Sequence, residues 1–314
     1  MNYLMLLSGL FLLVIGGDFL VRAAVAISLK LNISKAIVGL TIVSFATSAP
    51  ELIVSLKAAL AGHPDISIGN VMGSNIANIG LVLGVTAIIF PITVGKQFGR
   101  LHWPAMMILS MLLYLFMSSH LLIEVYEGVV LQLLLFVFIY LLLRFRKKEE
   151  LEEEVDEVLR DISGVKTFLW LLISALGLYF GSELLVKGAV NIAVGLGVSE
   201  RIIAVTVIAL GTSLPELSAS VVAALRQEKA ISLGNLIGSN IFNIGSVIGI
   251  SAIIHPIEVK SPELLQADMW WMLGLAFVLL PMTWMSGKRQ ISRLGGFVLV
   301  FCYSFYIIST FIQK

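Results

Sequence analysis

Long apolar stretches, separated by short polar or charged connections, run through the whole chain. Charge-free segments such as 66–95 and 230–257 are long enough to cross a bilayer, which takes about 20 residues of helix. Two further apolar stretches, 36–61 and 202–225, each contain one glutamate. This pattern predicts ten membrane-spanning helices. Their expected ranges are 2–28, 36–61, 66–91, 101–118, 121–143, 166–193, 201–225, 231–254, 268–286 and 292–312.

The composition supports the assignment to a membrane. Of the 314 residues, 58% are hydrophobic and 13% are charged, whereas soluble chains are about 45–50% apolar and about 25% charged. The net charge of +1 gives no support for nucleic-acid binding, and the lone Cys302 cannot form a disulfide within the chain. We therefore expect an all-α polytopic membrane protein that lies in the lipid bilayer as a monomer, with no nucleic-acid partner.

The lysines and arginines predict the orientation of the bundle. If the N-terminus lies outside, the outward connections hold little beyond Arg201, Lys260 and Lys314. The positive-inside rule then predicts that both termini are outside and that the central loop is cytoplasmic. The inward connections hold Lys30, Lys35, Lys96, Arg100, Arg144, Arg146, Lys147, Lys148, Arg160, Lys166, Arg226, Lys229, Lys288, Arg289 and Arg293.

The segment 144–165 is strongly polar. Its basic cluster is followed by the acidic run 149–157, and apolar residues recur through it at helical spacing. A regulatory calcium site is one alternative for these acids, but they lack the EF-hand pattern, so a solvated linker helix is favoured. The segment divides the chain into a first half, 1–143, and a second half, 166–314.

The two halves contain an internal repeat. Residues 16–94 align with 181–259 at a constant offset of 165 positions without a gap. Each half holds five predicted spans, and because five is odd, the second half must lie inverted relative to the first. Inverted repeats with interrupted helices recur in transporters, although channels are also built from repeats. The matching cores read TIVSFATSAPELIVS with TVIALGTSLPELSAS, and ISIGNVMGSNIANIG with ISLGNLIGSNIFNIG.

Glu51 and Glu216 occupy matching positions of the repeat in the middle of apolar spans. An ionisable side chain at that depth costs about 3 kcal/mol or more unless it has a partner, and Lys57 is nearly two turns from Glu51. Carboxylates brought together by an inverted repeat would repel each other unless a cation or a proton lay between them. A protonated, hydrogen-bonded glutamate explains a single such residue equally well, but the matched pair favours a cation.

Each of these glutamates directly follows a proline. Pro50 and Pro215 lack an N–H, so the carbonyls of Ala46 and Gly211 lose their helical partners. Carbonyls freed at membrane depth are tolerated only where a neighbouring group or an ion satisfies them. A lone proline kink is usually structural, but here kink, hydroxyls and acid coincide twice, which predicts broken helices at an ion site. The hydroxyls at this level belong to Thr47, Ser48, Thr212 and Ser213.

The second motif adds further oxygen atoms. Ser74 and Asn78 are four residues apart and share a helix face, and Ser239 and Asn243 repeat that arrangement. Such residues also serve helix packing alone, but we favour ligation. The candidate ligands are all oxygen atoms, which selects Na⁺, Ca²⁺ or similar hard cations over zinc or copper, and we expect no resident cofactor. Two further residues, assigned to the surroundings of the site or to backbone capping, are Asn70 and Asn235.

Together the two motifs resemble the paired alpha repeats of the cation/calcium exchanger superfamily, and the chain is closest in type to the prokaryotic sodium/calcium exchangers. The resemblance covers essentially the whole chain and rests on the signatures GTS-x-PE and GN-x-x-GSN-x-x-N-I-G. The first repeat departs from it at Ala46, which offers no side-chain ligand. The resemblance implies alternating access, with Na⁺ entering as Ca²⁺ leaves, and a location in the prokaryotic cell (inner) membrane.

The resemblance also implies roles for individual residues. In the family, the motif glutamates and threonine carbonyls form a central calcium site, which here corresponds to Glu51, Glu216, Thr47 and Thr212. The flanking sodium sites correspond to Ser48, Ser213, Ser74, Ser239, Asn78 and Asn243, with the carbonyls of Ser44 and Ala209.

The chain departs from many relatives because it has asparagine at both 78 and 243, where one position is often aspartate. The candidate site then carries two formal negative charges, enough for one Ca²⁺ or two Na⁺. A Ca²⁺/H⁺ exchanger and a K⁺-dependent Na⁺/Ca²⁺ exchanger of the same fold therefore stay as alternatives, and a cation channel is less favoured. The sequence has no Gly-x-Gly-Asp, no His-Glu-x-x-His and no Ser/His dyad, so we expect no enzyme such as an intramembrane protease.

Overall fold

The structure is a computed structural model that describes residues 2–145, 159, 162–195, 209–285 and 289–312. Helices account for nearly all of these residues. Two parts of the sequence prediction lie outside the described residues, namely most of the acidic linker and the start of the predicted span 201–225.

Long apolar helices dominate the described part of the chain. In order they are α1 (Asn2–Leu31), α2 (Lys35–Thr47), α3 (Ala49–Leu60), α4 (Pro64–Ile89), α5 (Phe98–His120), α6 (Val125–Arg144), α7 (Gly164–Gly195), α8 (Ala209–Thr212), α9 (Leu214–Leu225), α10 (Lys229–Ile254), α11 (Leu264–Trp284) and α12 (Arg293–Ile312). Among the described residues, eight helices are long and apolar enough to cross a membrane, and counting α2 with α3 as one span makes nine. A multi-pass helical membrane protein is confirmed, and the count of ten stays a prediction.

Besides the π-helical turns that begin α5 (Phe98–His102) and α11 (Leu264–Asp268), such wider turns occur inside three of the described helices. They occupy Gly39–Val43 in α2, Asn78–Leu83 in α4 and Asn243–Ile248 in α10. Such turns are rare and are found mostly at functional sites. Two of them begin at the predicted ligands Asn78 and Asn243. The apolar pattern of the sequence does not indicate these turns.

Four two-residue strands lie in the connections between helices. They are β1 (Ile92–Thr93), β2 (Leu122–Ile123), β3 (Ile257–Glu258) and β4 (Gln290–Ile291). β1 pairs antiparallel with β4, and β2 pairs antiparallel with β3. Each pair therefore ties a connection of the first half of the chain to one of the second half.

The described residues of Met1–Thr47 and Phe145–Asn235 form one compact unit, called unit 1. In it, α1 lies against α7 with glycines at the contact. A Cβ atom on Gly9 would lie 2.7 Å from the backbone N of Leu185, and one on Gly16 would lie 2.9 Å from the backbone N of Leu178. Only glycine allows the two backbones to approach this closely. The core of unit 1 includes Leu20, Val21, Ala24, Ile37, Val38, Ala219, Ala223 and Ile231.

The described residues of Ser48–Arg144 and Leu236–Lys314 form the second unit, unit 2. A Cβ atom on Gly128 of α6 would lie 2.7 Å from the carbonyl oxygen of Gly249 in α10, and one on Gly296 of α12 would lie 2.6 Å from that of Gly84 in α4. Gly84 and Gly249 are equivalent in the repeat, so α6 and α12 pack at corresponding places although they lie beyond the aligned residues. Each unit combines segments of both halves, and the division of the sequence into halves and linker stays a prediction.

Candidate cation site

The first motif interrupts the helical chain at Ser48, between α2 and α3, where φ is −85° and ψ is 3°. Pro50 lies in the first turn of α3, where its missing N–H removes no helical hydrogen bond. Glu51 lies in the same turn, and its side chain is fully buried. A carboxylate at this place is favoured by the partial positive charge of the helix N-terminus. The predicted break is confirmed here.

The second copy of this motif, in the other half of the sequence, has the same local structure. Ser213 lies between α8 and α9 with φ −88° and ψ 4°, and Pro215 lies in the first turn of α9. Glu216 is in that turn and is fully buried. Both copies of the motif therefore place a buried carboxyl group at the start of a 12-residue helix.

An asparagine–serine hydrogen bond ties each glutamate-bearing helix to the second motif of the same repeat. In unit 2, Asn70 Nδ2 donates to Ser55 Oγ (2.9 Å) and to the carbonyl oxygen of Glu51 (3.4 Å). In unit 1, Asn235 Nδ2 donates to Ser220 Oγ (3.0 Å). The two asparagines thus support the helices that carry the glutamates.

Two predicted ligands at the end of α2 contact this same Asn235 in unit 1. The hydroxyl of Thr47 lies 3.1 Å from Asn235 Oδ1, and Ser44 Oγ donates to the Asn235 carbonyl oxygen at 3.0 Å. Ser44 Oγ also lies 2.8 Å from the carbonyl oxygen of Gly39, at the start of the π turn in α2. The last turn of α2 is therefore held in one orientation by side-chain hydrogen bonds.

Four buried asparagines in unit 2, called the asparagine quartet, form two crossed hydrogen bonds between α4 and α10. Asn78 Nδ2 donates to Asn240 Oδ1 (3.3 Å), and Asn243 Nδ2 donates to Asn75 Oδ1 (3.0 Å). Asn240 is the repeat equivalent of Asn75, and Asn243 is that of Asn78. Exchanging the two repeats therefore converts one hydrogen bond into the other.

These bonds determine how the amide groups of Asn78 and Asn243 face their surroundings. Each amide nitrogen is engaged, whereas each Oδ1 atom is buried and has no hydrogen-bond donor among the described residues. A buried oxygen without a partner costs about 1–3 kcal/mol. A hard cation satisfies such an oxygen, because amide oxygens belong to its preferred ligands. Ser213 Oγ in unit 1 is buried in the same way, without a partner in the described chain.

Each of the two units contains six of the predicted ligands. Unit 1 contains Ser44, Thr47, Ala209, Thr212, Ser213 and Glu216, and unit 2 contains Ser48, Glu51, Ser74, Asn78, Ser239 and Asn243. All are buried except Thr212, which is half-buried, and Ala209, whose side chain lies outside the described atoms. Within the described residues, no group of three or more His, Cys, Asp or Glu could hold a metal ion. The ligand set as a whole stays a prediction.

Sequence reasoning missed four residues that position the site. Asn75 and Asn240 hold the amide nitrogens of the quartet, and Ser55 and Ser220 hold Asn70 and Asn235. The sequence does contain a signal for these four residues, because each is identical in the two copies of the repeat.

Comparison with known proteins adds a family to this geometry. The model of the family described as sodium/calcium exchanger protein matches residues 1–144 and 166–312. The chain is 39% identical over 306 residues to the putative antiporter CaxA of Alkalimonas amylolytica, covering 96% of this chain and 95% of that protein. It is 32% identical over 306 residues to the inner membrane protein YrbG of Escherichia coli, covering 94% of each.

The fold also resembles a solved structure. The sodium-calcium exchanger NCX_Mj, soaked with Na⁺ and Ca²⁺, superposes with a TM-score of 0.83 at 30% sequence identity. The match covers 98% of both chains.

Proposed function

Because the chain belongs to the sodium/calcium exchanger protein family, we propose that it exchanges Na⁺ for Ca²⁺ across a membrane by alternating access. Both ions are then transported substrates, and the protein needs no resident cofactor. Cation antiport accounts for a multi-pass helical protein that buries one glutamate in each copy of a repeat. The family is one of exchangers rather than of enzymes.

Glu51 and Glu216 are proposed to bind Ca²⁺ through their carboxylates, together with the carbonyl oxygens of Thr47 and Thr212. Two carboxylates balance the charge of one Ca²⁺, and each lies in the first turn of a helix. The proposed Na⁺ ligands are Ser48, Ser213, Ser74, Ser239, Asn78 and Asn243 with the carbonyls of Ser44 and Ala209.

The observation that carries the ligand proposal is the hydrogen bonding of the asparagine quartet. Crossed hydrogen bonds fix the amide nitrogens of Asn78 and Asn243, and their buried oxygens have no donor in the described chain. These two oxygens differ from other buried oxygens without a partner because they occupy matched positions of the repeat and have their orientation fixed by symmetric hydrogen bonds. Coordination of a dehydrated hard cation accounts for this arrangement.

The strand pairs support ten spans, an even number that puts both termini on one side of the membrane, and the positive-inside rule makes that side the outside. Two paired strands must lie on the same side of a membrane, so an even number of crossings must separate them. Between β2 and β3 lie α6, α7 and α10, and the predicted span 201–225 supplies the fourth crossing. Between β1 and β4 the ten-span order supplies six crossings. The same order places the ion pair Lys35–Glu228 on the inner side, and five spans per half make the repeat an inverted one.

The proposed location is the cell membrane of a prokaryote, the inner membrane where there are two. One relative is named as an inner membrane protein of Escherichia coli. The chain is proposed to work there as a monomer, because each copy of the motif finds its counterpart within the same chain.

The proposal is tested by calcium uptake into proteoliposomes that hold the purified protein and a sodium gradient. Glu51→Gln and Glu216→Gln should each abolish sodium-dependent calcium flux. The matched control is Glu127→Gln. Glu127 is a buried glutamate of α6 whose carboxylate accepts a hydrogen bond from the backbone N of Glu124 (2.9 Å) outside both motifs. This control should keep its flux.

The same vesicles separate the alternatives. A pH step in place of the sodium gradient tests Ca²⁺/H⁺ exchange, added K⁺ tests potassium dependence, and currents without a counter-ion identify a channel. Wild-type flux in both motif variants would refute the proposal.

A further inference from the structure

A cleft lined by basic side chains lies at one end of unit 2. It encloses 380 Å³ between the connection from β1 to α5 and the end of α11, a size within the range of about 300–1,000 Å³ typical of small-molecule sites. Its charged lining residues are Lys96, Arg100 and Arg289, and its wall includes Leu280 and Trp284. We call it the basic cleft.

The fold brings these three cations together from distant parts of the sequence. The β1–β4 pair continues into a hydrogen bond from Val94 N to the carbonyl oxygen of Arg289 (2.8 Å), which places Arg289 beside the β1–α5 connection. Phe98, at the end of that connection, is fully buried. Arg100 lies in the first turn of α5, so the partial positive charge of the helix N-terminus adds to the cleft.

Among the described residues, no acid pairs with these charges. The sequence contains no Asp or Glu between Asp65 and Glu124, and none from Met269 to the last residue printed, so both segments that line the cleft are free of acids. Within the described residues, none of the three cationic side chains forms a salt bridge, and all three are exposed. The positive-inside rule accounts for basic residues in these connections, but it does not require that they converge on one cleft.

The surroundings of the cleft indicate how its ligand reaches it. In the proposed topology both lining connections lie on the inner side of the membrane. Trp284 is 68% exposed, and exposed tryptophans of membrane proteins concentrate at the level of the lipid headgroups. Leu280 continues the wall along α11 toward the apolar interior. The cleft therefore suits a ligand that has an anionic group at one end and an apolar part at the other.

We propose that the basic cleft binds the phosphate headgroup of an anionic phospholipid of the inner leaflet. Basic pockets between membrane helices on the cytoplasmic side suit such headgroups, because clustered Lys and Arg attract phosphate and the adjoining apolar wall accepts the acyl chains. The inference depends on the membrane topology and not on which ions are exchanged, so it stands or fails separately from the transport proposal.

The test measures lipid binding by the purified full-length protein in detergent, by native mass spectrometry with added phosphatidylglycerol, cardiolipin or phosphatidylcholine. The protein should retain the two anionic lipids in preference to phosphatidylcholine. The combined change Lys96→Gln, Arg100→Gln and Arg289→Gln should weaken anionic binding about a hundredfold, since each basic residue contributes about fivefold. The matched control, Arg144→Gln with Lys166→Gln and Lys229→Gln, neutralises three inner-side cations outside the cleft and should keep the preference.

Two further arms make the test decisive. The charge-conserving change Lys96→Arg, Arg100→Lys and Arg289→Lys should keep the preference even if the neutral variant is poorly folded. Inorganic phosphate at millimolar concentration should compete only weakly, because it lacks acyl chains. Equal anionic binding by wild type and the neutral variant, or loss of binding in the charge-conserving variant, overturns the proposal. If the protein binds inorganic phosphate but shows no preference for anionic lipids over phosphatidylcholine, the cleft is a site for a soluble anion, and the proposal of a lipid ligand is overturned.

Discussion

The asparagine quartet and the basic cleft belong to the same unit but use opposite means to attract a charged ligand. The quartet is buried and uncharged, and it offers two amide oxygens whose orientation is fixed by crossed hydrogen bonds. The cleft is exposed and carries three cations drawn from segments without acids. One therefore depends on the position of single atoms, and the other on the sum of several charges.

This difference predicts a ranking of effects. When a buried polar atom loses its hydrogen-bond partner, no water replaces that partner. The loss therefore costs about 1–3 kcal/mol. An exposed charge keeps its hydration and is screened over about 8 Å at physiological salt, so any one of them matters little. Changes in the quartet should be large and independent of salt, whereas changes at the surface should be small and sensitive to salt.

The largest effect is expected for the amide oxygens. Asn78→Ala and Asn243→Ala should each lower the apparent Na⁺ affinity about 10- to 100-fold, because a contact to a charged partner contributes about 1.5–3 kcal/mol and tenfold corresponds to about 1.4 kcal/mol. The measurement is the sodium dependence of calcium uptake into proteoliposomes.

The control for this prediction is Ser251→Ala in α10. Ser251 also has a buried oxygen without a partner in the described chain, but it lies outside both motifs. Its removal should leave the affinity unchanged. Equal affinities for wild type and both asparagine variants would remove the quartet from the ion site.

The next largest effect, on stability, should distinguish the asparagines that offer a free oxygen, Asn78 and Asn243, from those that accept their hydrogen bonds, Asn75 and Asn240. Asn75→Ala deprives Asn243 Nδ2 of its acceptor, and Asn240→Ala does the same to Asn78 Nδ2. An orphaned buried N–H should lower the free energy of unfolding by about 1–3 kcal/mol, seen as a lower midpoint of thermal unfolding. Asn78→Ala and Asn243→Ala should destabilise less, because each also removes an oxygen that lacks a donor. The reverse order of stability would contradict the assigned roles.

The parts of the site that sequence could predict are those set by local covalent structure and by the repeat. Pro50 and Pro215 suit the first turn of a helix better than its interior, and matched acids in apolar spans indicate burial in pairs. The crossed bonds could not be predicted, because they depend on how α4 and α10 rotate about their axes, and the π turns at Asn78 and Asn243 contribute to that rotation. The strand pairs were missed because two-residue strands leave no period in the sequence.

A smaller effect is expected where the glutamate-bearing helices are supported. Ser55 Oγ accepts from Asn70 and donates to the carbonyl oxygen of Ser67 (3.2 Å), so Ser55→Ala removes two hydrogen bonds. Ser220 Oγ accepts from Asn235. We expect losses of about 1–2 kcal/mol for Ser55→Ala and about 1 kcal/mol for Ser220→Ala, measured by thermal unfolding. Ser118→Ala, an exposed serine of α5, is the control and should be neutral.

The smallest effect is expected for the partly exposed ion pairs of unit 1, which test the surface side of the comparison. Asp18 and Glu183 are equivalent in the repeat, and each forms an i,i+4 pair, with Arg22 at 2.8 Å and with Lys187 at 2.6 Å. Asp18 also contacts Arg226, so its carboxylate serves two cations. Glu183→Gln should cost at most about 0.5 kcal/mol and Asp18→Asn up to about 1 kcal/mol in the free energy of unfolding. Both pairs are partly exposed, so about 1 M salt, which shortens the screening length to about 3 Å, should remove the difference between the two variants. A difference that survives high salt would mean that Asp18 acts as a buried group, like the quartet, rather than as a surface charge.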